Sequence, residues 1–128
     1  MELDRFPVQL ISADGQQILQ LTVESADNPD AWATGLMGRD HLETDTGMLF
    51  TFDQSEVLSF WMQDTLMPLD ILFFDADGKF VSATSMVPCT EEPCPSYQSS
   101  GPALYALEVE EGFVERNGVG AGWTLRIH

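Results

Sequence analysis

The sequence has few basic residues. It contains 5 Lys and Arg against 21 Asp and Glu, and the formal net charge is −16 at pH 7. Such a charge repels the phosphate backbone of nucleic acids and the surface of anionic membranes, so we exclude nucleic acid as a partner. The acidity is typical of a well-solvated surface, as in salt-adapted proteins, and it would also attract cations or a basic partner. The basic residues form no cluster: they are Arg5, Arg39, Lys79, Arg116 and Arg126.

The sequence also lacks a long apolar run and a signal peptide. Its longest apolar run, Leu69 to Phe74, is interrupted by Asp70. It is far shorter than the ~20 residues that a membrane-spanning helix needs, so we expect no membrane span. The sequence begins with Met1-Glu-Leu-Asp-Arg, which has no apolar segment of the kind that directs export. Either the protein is cytoplasmic or the sequence starts after a removed leader.

Cysteine is scarce: the two cysteines, Cys89 and Cys94, share a loop with three prolines. A disulfide across so small a ring would stabilise the fold by roughly 2 kcal/mol. Free thiols are one alternative, and zinc is another, but zinc would need His41 and His128 as its remaining ligands. The spacing is not the C-x-x-C of a thioredoxin-like redox pair. We expect a disulfide and therefore a periplasmic or secreted protein.

Hydrophobic residues make up 44% of the sequence, which is ample for one core in a single domain over residues 1–128. Alternating apolar and polar residues predict short strands, and Asp14-Gly15 and Asp77-Gly78 mark the turns of two hairpins. The predicted strands are 6–12, 17–24, 47–52, 57–62, 69–74, 79–87, 103–109 and 123–127.

Two short helices are predicted between the strands. Asn28 and Pro29 are typical of an N-cap and a first helical position, and Gly38 is placed to end that helix. A second helix is predicted from Glu110 to Asn117. These elements indicate a mainly β fold, either a β-sandwich or a partly open barrel with two short helices. A parallel sheet is not expected, because long crossover helices are absent.

Three ordered motifs make the sequence recognisable. They are 35–39 (GLMGR), 47–52 (GMLFTF) and 60–70 (FWMQDTLMPLD), followed by Pro88-Cys89, Pro93-Cys94-Pro95 and Tyr97. With these motifs the chain resembles the bacterial and archaeal family called domain of unknown function 192, over about residues 18–127. The resemblance implies a compact, all-β, jelly-roll-like domain that is usually exported in bacteria and has no established activity. Where members of that family typically carry Asn, this chain has Asp64, which replaces two amide donors with a charge.

The candidate functional residues lie in these motifs. Carboxylates beside apolar runs are rarely buried without partners, so we expect Arg39 to pair with Asp64 or Asp70. That pair either ties the helix end to the central strands or belongs to a cleft beside the aromatic residues, and Trp61 is either covered by the first helix or left open as a site. The candidate binding residues are Arg39, Trp61, Asp64, Thr65, Asp70 and Tyr97.

No complete catalytic set is evident from the sequence. Asp64 and Asp70 could act as acid and base in glycoside cleavage. His41 has no accompanying nucleophile-elbow sequence, and the methionines are more typical of core packing than of copper ligation. We therefore assign no catalytic residue, no metal ligand and no cofactor.

The leading hypothesis is an exported, non-catalytic binding module for a small molecule, a glycan or a partner protein. One alternative is a cell-envelope enzyme of the hydrolase type that uses Asp64 or Asp70 as acid and base. A second alternative is a structural interaction domain.

Overall fold

The protein is built on one large mixed sheet. The structure, a computed structural model, describes residues 3–127, so His128 lies outside the described residues. Within them, nine strands form a seven-stranded sheet and a two-stranded ribbon, which confirms the mainly β prediction. The strands are β1 (Arg5–Ile11), β2 (Ile18–Ala26), β3 (Thr46–Glu56), β4 (Ser59–Trp61), β5 (Leu69–Phe74), β6 (Phe80–Met86), β7 (Ser96–Gln98), β8 (Ala103–Glu110) and β9 (Thr124–Ile127). The helices are α1 (Pro29–Thr34) and α2 (Phe113–Asn117).

The large sheet curls until its two edges meet at one end. Its strand order is β6-β5-β8-β3-β2-β1-β9. A single bridge between Lys79 and Thr124 joins the edges, and there the amide of Leu125 donates to the carbonyl oxygen of Gly78 at 2.7 Å. Within the described residues, β6 and β9 do not pair beyond this single bridge, so the barrel is not closed. This architecture lies within the predicted class of a jelly-roll-like sandwich or partly open barrel.

One strand pair contradicts the sequence-based expectation. β2 and β3 run parallel, whereas the other ladders of the sheet are antiparallel. Residues 27–45 connect the two parallel strands and include α1. A parallel pair needs a crossover connection of a dozen or more residues, but that connection does not have to be a long helix. A two-turn helix with a following loop is enough.

The buried side chains form two clusters, whereas one core was expected. The inner core draws on strands at both edges of the sheet and comprises Val8, Leu10, Leu21, Val23, Leu49, Leu72, Phe74, Leu107, Val109, Phe113, Val119, Trp123 and Leu125. The outer core lies on the opposite face of β3, β5 and β8, beneath α1 and residues 57–67. Because both faces are covered at the centre of the sheet, every residue of β5 is buried.

Helix α1 begins as predicted and ends earlier than predicted. The side chain of Asn28 accepts a hydrogen bond from the amide of Ala31 at 3.0 Å, and Pro29 occupies the first turn. The helix ends at Gly35, where φ is 47° and the amide still donates to the Ala31 carbonyl oxygen. Gly38, the predicted end, has a φ of 79° and lies in the turn that follows.

Helix α2 and the hairpins follow the sequence signals closely. Gly118, with φ at 67°, ends α2 as predicted. The helix starts at Phe113 because the chain up to Glu110 continues β8. The Asp-Gly turns join β1 to β2 and β5 to β6, and both pairs are antiparallel hairpins.

Two short strands differ from the prediction. The predicted strand 57–62 is reduced to β4, which pairs with β7, a three-residue strand that was not predicted. The Cys89–Cys94 disulfide, which was predicted, closes the loop just before β7 with a Cα–Cα distance of 5.8 Å. The carbonyl oxygen of Cys89 accepts a hydrogen bond from the amide of Asp64 at 2.9 Å. The disulfide loop is thereby attached to the segment that covers the outer core.

Candidate functional site

A cleft of about 300 Å³ opens on the outer face of the sheet. One wall is α1 with the turn after it, from Trp32 to Met37, and the other wall is built by β4, the turn after it and Ser96 of β7. The floor consists of side chains from β3 and β8. We call this space the outer cleft.

The floor of the outer cleft contains a buried acid, Glu108. It lies on β8, an interior strand of the sheet, between Met48 of β3 and Ile71 of β5, which are its direct partners in the two ladders. Both partners are fully buried and apolar, and Glu108 itself is only 4% exposed. A carboxyl group in such a position loses its hydration shell, which disfavours its charged form.

The electrostatics of Glu108 follow from this burial. Loss of water raises the pKa of Glu108 from 4.5 to about 8, and neither a hydrogen bond nor a nearby charge contributes. Among the described residues, every side-chain nitrogen or oxygen that is fully shielded from solvent has a hydrogen-bond partner. Because Glu108 has none, its carboxyl oxygens keep a small opening to the outer cleft, which they line. At neutral pH this raised pKa keeps Glu108 mostly a neutral acid, and it faces the cavity.

The walls and the floor of the outer cleft are rich in aromatic rings. The rings of Trp32 and Phe52 lie 4.8 Å apart, and Phe60 packs edge-on against Phe52 at 6.0 Å. The indole N–H of Trp32 donates to the carbonyl oxygens of Ala26 and Thr51, at 3.0 and 3.1 Å, which fixes that ring in place. These side chains form a preorganised apolar wall.

The rim of the outer cleft offers a further ring and several polar groups. Trp61 lines the cleft and is 50% exposed, so the first helix does not cover it. Ser59, Gln63 and the buried Thr65 supply hydroxyl and amide groups beside it. The combination of a flat exposed ring with donors and acceptors is typical of small-molecule sites.

The two predicted site segments are adjacent in the structure. The amide of Gly38 donates to the carbonyl oxygen of Asp64 at 2.8 Å, and the amide of Leu66 donates to that of Arg39 at 3.3 Å. These backbone bonds join the turn after α1 to the turn after β4. Of the six predicted residues, Trp61 and Thr65 line the outer cleft.

Arg39 does not have the predicted partner. Its guanidinium group forms two hydrogen bonds with Glu24 of β2, one of them at 2.8 Å, and none with Asp64 or Asp70. These bonds hold the pKa of Glu24 below its usual value. The prediction failed because the parallel β2–β3 pair, which was not expected, carries β2 beneath the Arg39 turn. Arg39 therefore ties this turn to the sheet and lies outside the lining of the outer cleft.

Asp64 has a backbone role. It is exposed and has a φ of 59°, in the left-handed region that few residues other than glycine adopt. Asn and Asp tolerate this region better than other side chains do. An Asn or Asp at this position is explained by the turn geometry without a ligand.

Asp70 lies on the other face of the sheet from the outer cleft. It is buried, accepts a hydrogen bond from the hydroxyl of Ser85 at 2.8 Å and accepts another from the amide of Val114 at 3.0 Å. The second bond satisfies a free amide at the start of α2. Asp70 therefore anchors α2 to the sheet through these two hydrogen bonds.

Tyr97 supports the cleft from behind. It lies on β7 opposite Phe60, it packs against the outer core, and its hydroxyl group accepts a hydrogen bond from the amide of Val87 at 3.3 Å. Its neighbour Ser96, rather than Tyr97 itself, lines the outer cleft.

Residues 3–127 contain no group of three or more His, Cys, Asp or Glu side chains arranged to hold a metal ion. Within the same range, neither helix has the length and apolarity needed to traverse a lipid bilayer.

Comparison with known proteins places the chain in a family. The model of the family DUF192, described as "Uncharacterized ACR", matches residues 10–127. The chain belongs to the DUF192 family. The resemblance seen in the three sequence motifs is thereby confirmed.

Two solved structures resemble this DUF192 chain over nearly its full length. One, from Sinorhizobium meliloti 1021, is 36% identical, covers 98% of this chain and 95% of its own, and has a TM-score of 0.91; its name proposes a transcription regulator. The other is a protein of unknown function from Novosphingobium aromaticivorans DSM 12444 and is 29% identical. The match covers 98% of this chain and 86% of that protein, with a TM-score of 0.88. No curated protein matches the chain.

Glu108 is the main residue of the DUF192 cleft that sequence reasoning missed. In the run Leu107-Glu-Val-Glu110 it appears as an ordinary polar residue on the solvent side of a half-buried strand. A signal was present in the neighbouring strand, because the nearly continuous apolar run of β5 indicates a sheet covered on both faces. An acid inside a strand paired with β5 would then have to be buried.

Proposed function

We propose that this DUF192 chain is an exported binding domain that holds a small organic molecule in the outer cleft. The observation that carries the proposal is Glu108, a carboxyl group that is 4% exposed and lies at the bottom of an aromatic-walled cavity. Polar groups at such depth nearly always find a partner, and the carboxyl oxygens of Glu108 open to the outer cleft. A ligand that reaches Glu108 would supply the missing partner.

The dimensions and chemistry of the outer cleft support this role. Its volume of about 300 Å³ lies at the lower end of the range for small-molecule sites, which suits a ligand smaller than a typical drug. The exposed ring of Trp61 offers a stacking surface, and Thr65 and Gln63 offer hydrogen bonds. Such contacts would orient a ligand whose deepest group meets Glu108.

The location of the protein is part of the proposal. Structural disulfides form and persist in oxidising compartments, and the Cys89–Cys94 pair favours the periplasm or the exterior of the cell. The net charge of −16 argues against direct contact with the phosphate backbone of DNA. We therefore do not extend to this chain the regulatory role that the name of the S. meliloti relative proposes.

The test is a fragment screen by ligand-observed NMR, with sugars, amines, carboxylates and neutral aromatics in the library. The screen compares wild type with two variants, Trp61→Ala and Leu66→Ala. Leu66 is the matched control, because it is 49% exposed, lies in the same segment and is not among the residues lining the outer cleft.

We expect fragments that bind the wild type and the Leu66→Ala variant with equal affinity and bind the Trp61→Ala variant about tenfold more weakly. The reason is that stacking of a ring on an exposed aromatic side chain is worth about 1–3 kcal/mol. A library without a single binder would overturn the proposal. So would fragments that bind both variants with wild-type affinity, since they would then occupy another surface.

A further inference from the structure

We infer that the ligand of the outer cleft carries an organic cation, a primary or methylated ammonium group on a short stem, which enters between the aromatic rings and forms an ion pair with Glu108. This inference rests on the proposed binding function and specifies the class of ligand.

The position of Glu108 allows it to meet a ligand in the outer cleft. It is flanked on the sheet by Met48 and Ile71 and cannot be reached from the inner core, because it lies on the outer face of β8. Its side chain faces the one accessible space next to it, the outer cleft. A cation placed there would be held in a poorly hydrated site, where charge-assisted hydrogen bonds are stronger than neutral ones.

The charges of the lining exclude an anionic ligand. Among the described residues that line the outer cleft, Glu108 is the one ionisable side chain, and no Lys, Arg or His contributes. The next acid along the strand, Glu110, is paired with Arg116 at 2.7 Å. A carboxylate or phosphate would therefore find no positive partner in the cleft, and it would be repelled once Glu108 at the floor ionises.

The aromatic walls favour a cation over a neutral molecule. Trp32, Phe52 and Phe60 present several rings to the same space, and Trp61 adds an indole ring at the rim. The faces of such rings carry negative charge density and attract ammonium groups, with Trp the strongest of them. The net charge of −16 also raises the local concentration of cations around the whole molecule.

The inference predicts a specific pH dependence. Glu108 keeps its proton up to a pKa of about 8, so an entering cation has to displace that proton. No other titratable side chain faces the cleft from α1, β3, β4 or β7 within the described residues. Affinity for a permanent cation should therefore rise by about tenfold per pH unit from pH 6 towards pH 8 and then level off. A neutral ligand that accepts a hydrogen bond from protonated Glu108 would show the opposite trend, with affinity lost above pH 8.

The experiment compares cations with neutral molecules of the same shape. Tetramethylammonium and butylammonium are titrated at pH 6, 7, 8 and 9 against tert-butanol and 1-butanol, with butyrate as the anion. Binding is followed by the indole N–H signals in 1H–15N spectra, where Trp32 and Trp61 line the cleft and Trp123 of the inner core serves as an internal reference. The variants are Glu108→Gln and, as a matched loss of one exposed charge, Asp77→Asn in the β5–β6 turn.

We expect both ammonium probes to shift the Trp61 signal, with affinity rising between pH 6 and 8. Glu108→Gln should weaken them by about tenfold or more and abolish the pH dependence, while Asp77→Asn should remain within about twofold of wild type. The pH profile of the wild type alone tests the inference if Glu108→Gln does not fold.

Ammonium probes that bind no better than their neutral counterparts, or with no rise between pH 6 and 8, would overturn the inference. If fragments of another class still bind at Trp61, the binding function survives and the cationic ligand does not. If nothing binds at Trp61, both are wrong.

Discussion

Replacing Glu108 with Gln should stabilise the protein, and the gain should grow with pH. The wild-type native state binds a proton at Glu108 up to a pKa of about 8, whereas in the unfolded chain this group releases its proton near pH 4.5. Between these two values the native state binds one more proton than the unfolded state. Stability that is present below pH 4.5 is therefore lost progressively as the pH rises towards 8.

The size of the effect follows from this interval. Each pH unit within it lowers the free energy of unfolding by about 1.4 kcal/mol, so the total loss by pH 8 is roughly 5 kcal/mol and the loss by pH 7 is roughly 3 kcal/mol. Gln has a similar shape and does not ionise, so Glu108→Gln avoids this loss. The difference in unfolding free energy between variant and wild type should grow by roughly 3 kcal/mol from pH 5.5 to pH 8 and stay constant above it.

Urea unfolding at several pH values measures this difference, with tryptophan fluorescence and circular dichroism as probes and the disulfide kept oxidised. With a urea dependence of about 2 kcal/mol per molar, the gap between the two midpoints should widen by about 1.5 M. Asp77→Asn serves as the control, because it removes one carboxylate from an exposed turn and leaves the buried Glu108 in place. A pH-independent difference for Glu108→Gln, or a variant less stable than wild type at pH 8, would refute the assignment of Glu108 as a buried neutral acid.

Three further changes test the scaffold. Asp70→Ala should lower the free energy of unfolding by roughly 2–4 kcal/mol, because it leaves two donors, including the amide of Val114, without an acceptor. A loss below about 1 kcal/mol in urea unfolding would show that α2 is held by packing alone. Reduction of Cys89–Cys94 should lower the free energy by roughly 2 kcal/mol, and identical unfolding curves with and without dithiothreitol would contradict this. Gly47→Ala should lower the free energy of unfolding by roughly 3 kcal/mol or more, because a Cβ there would lie 2.5 Å from a backbone oxygen of β8. Wild-type stability of this variant would mean that β3 and β8 are not so closely paired.

Much of the scaffold could be predicted because its signals are local. An Asp-Gly pair between two segments of alternating apolar and polar residues is enough to predict a hairpin turn. Asn28 caps α1 by accepting a hydrogen bond from an amide only three residues away. The pairing of Cys89 with Cys94 is local too, because the two cysteines are five positions apart and the sequence contains no other cysteine. Neighbouring residues were enough to determine these features.

The candidate site could be predicted only in part, because its chemistry depends on contacts that are distant in sequence. Trp61 and Thr65 belong to one motif, and both of them line the outer cleft. Arg39 finds its partner 15 residues earlier through a parallel pairing that no local pattern indicates. Glu108 is buried because a helix and a ribbon from earlier in the chain cover its face of the sheet. Within the sequence of β8, Glu108 alternates with apolar neighbours in the same way as a polar residue that faces solvent.

The last strand has a consequence for how the molecule can be made. β9 pairs with β1 along its length, so it covers a strand edge of β1 that would otherwise be free. A nascent polypeptide that has not yet delivered residues 124–127 would expose that unpaired edge, which is a template for aggregation. A cell that makes this protein therefore has to keep such unfinished copies apart, or hold them unfolded, until residues 124–127 have been added.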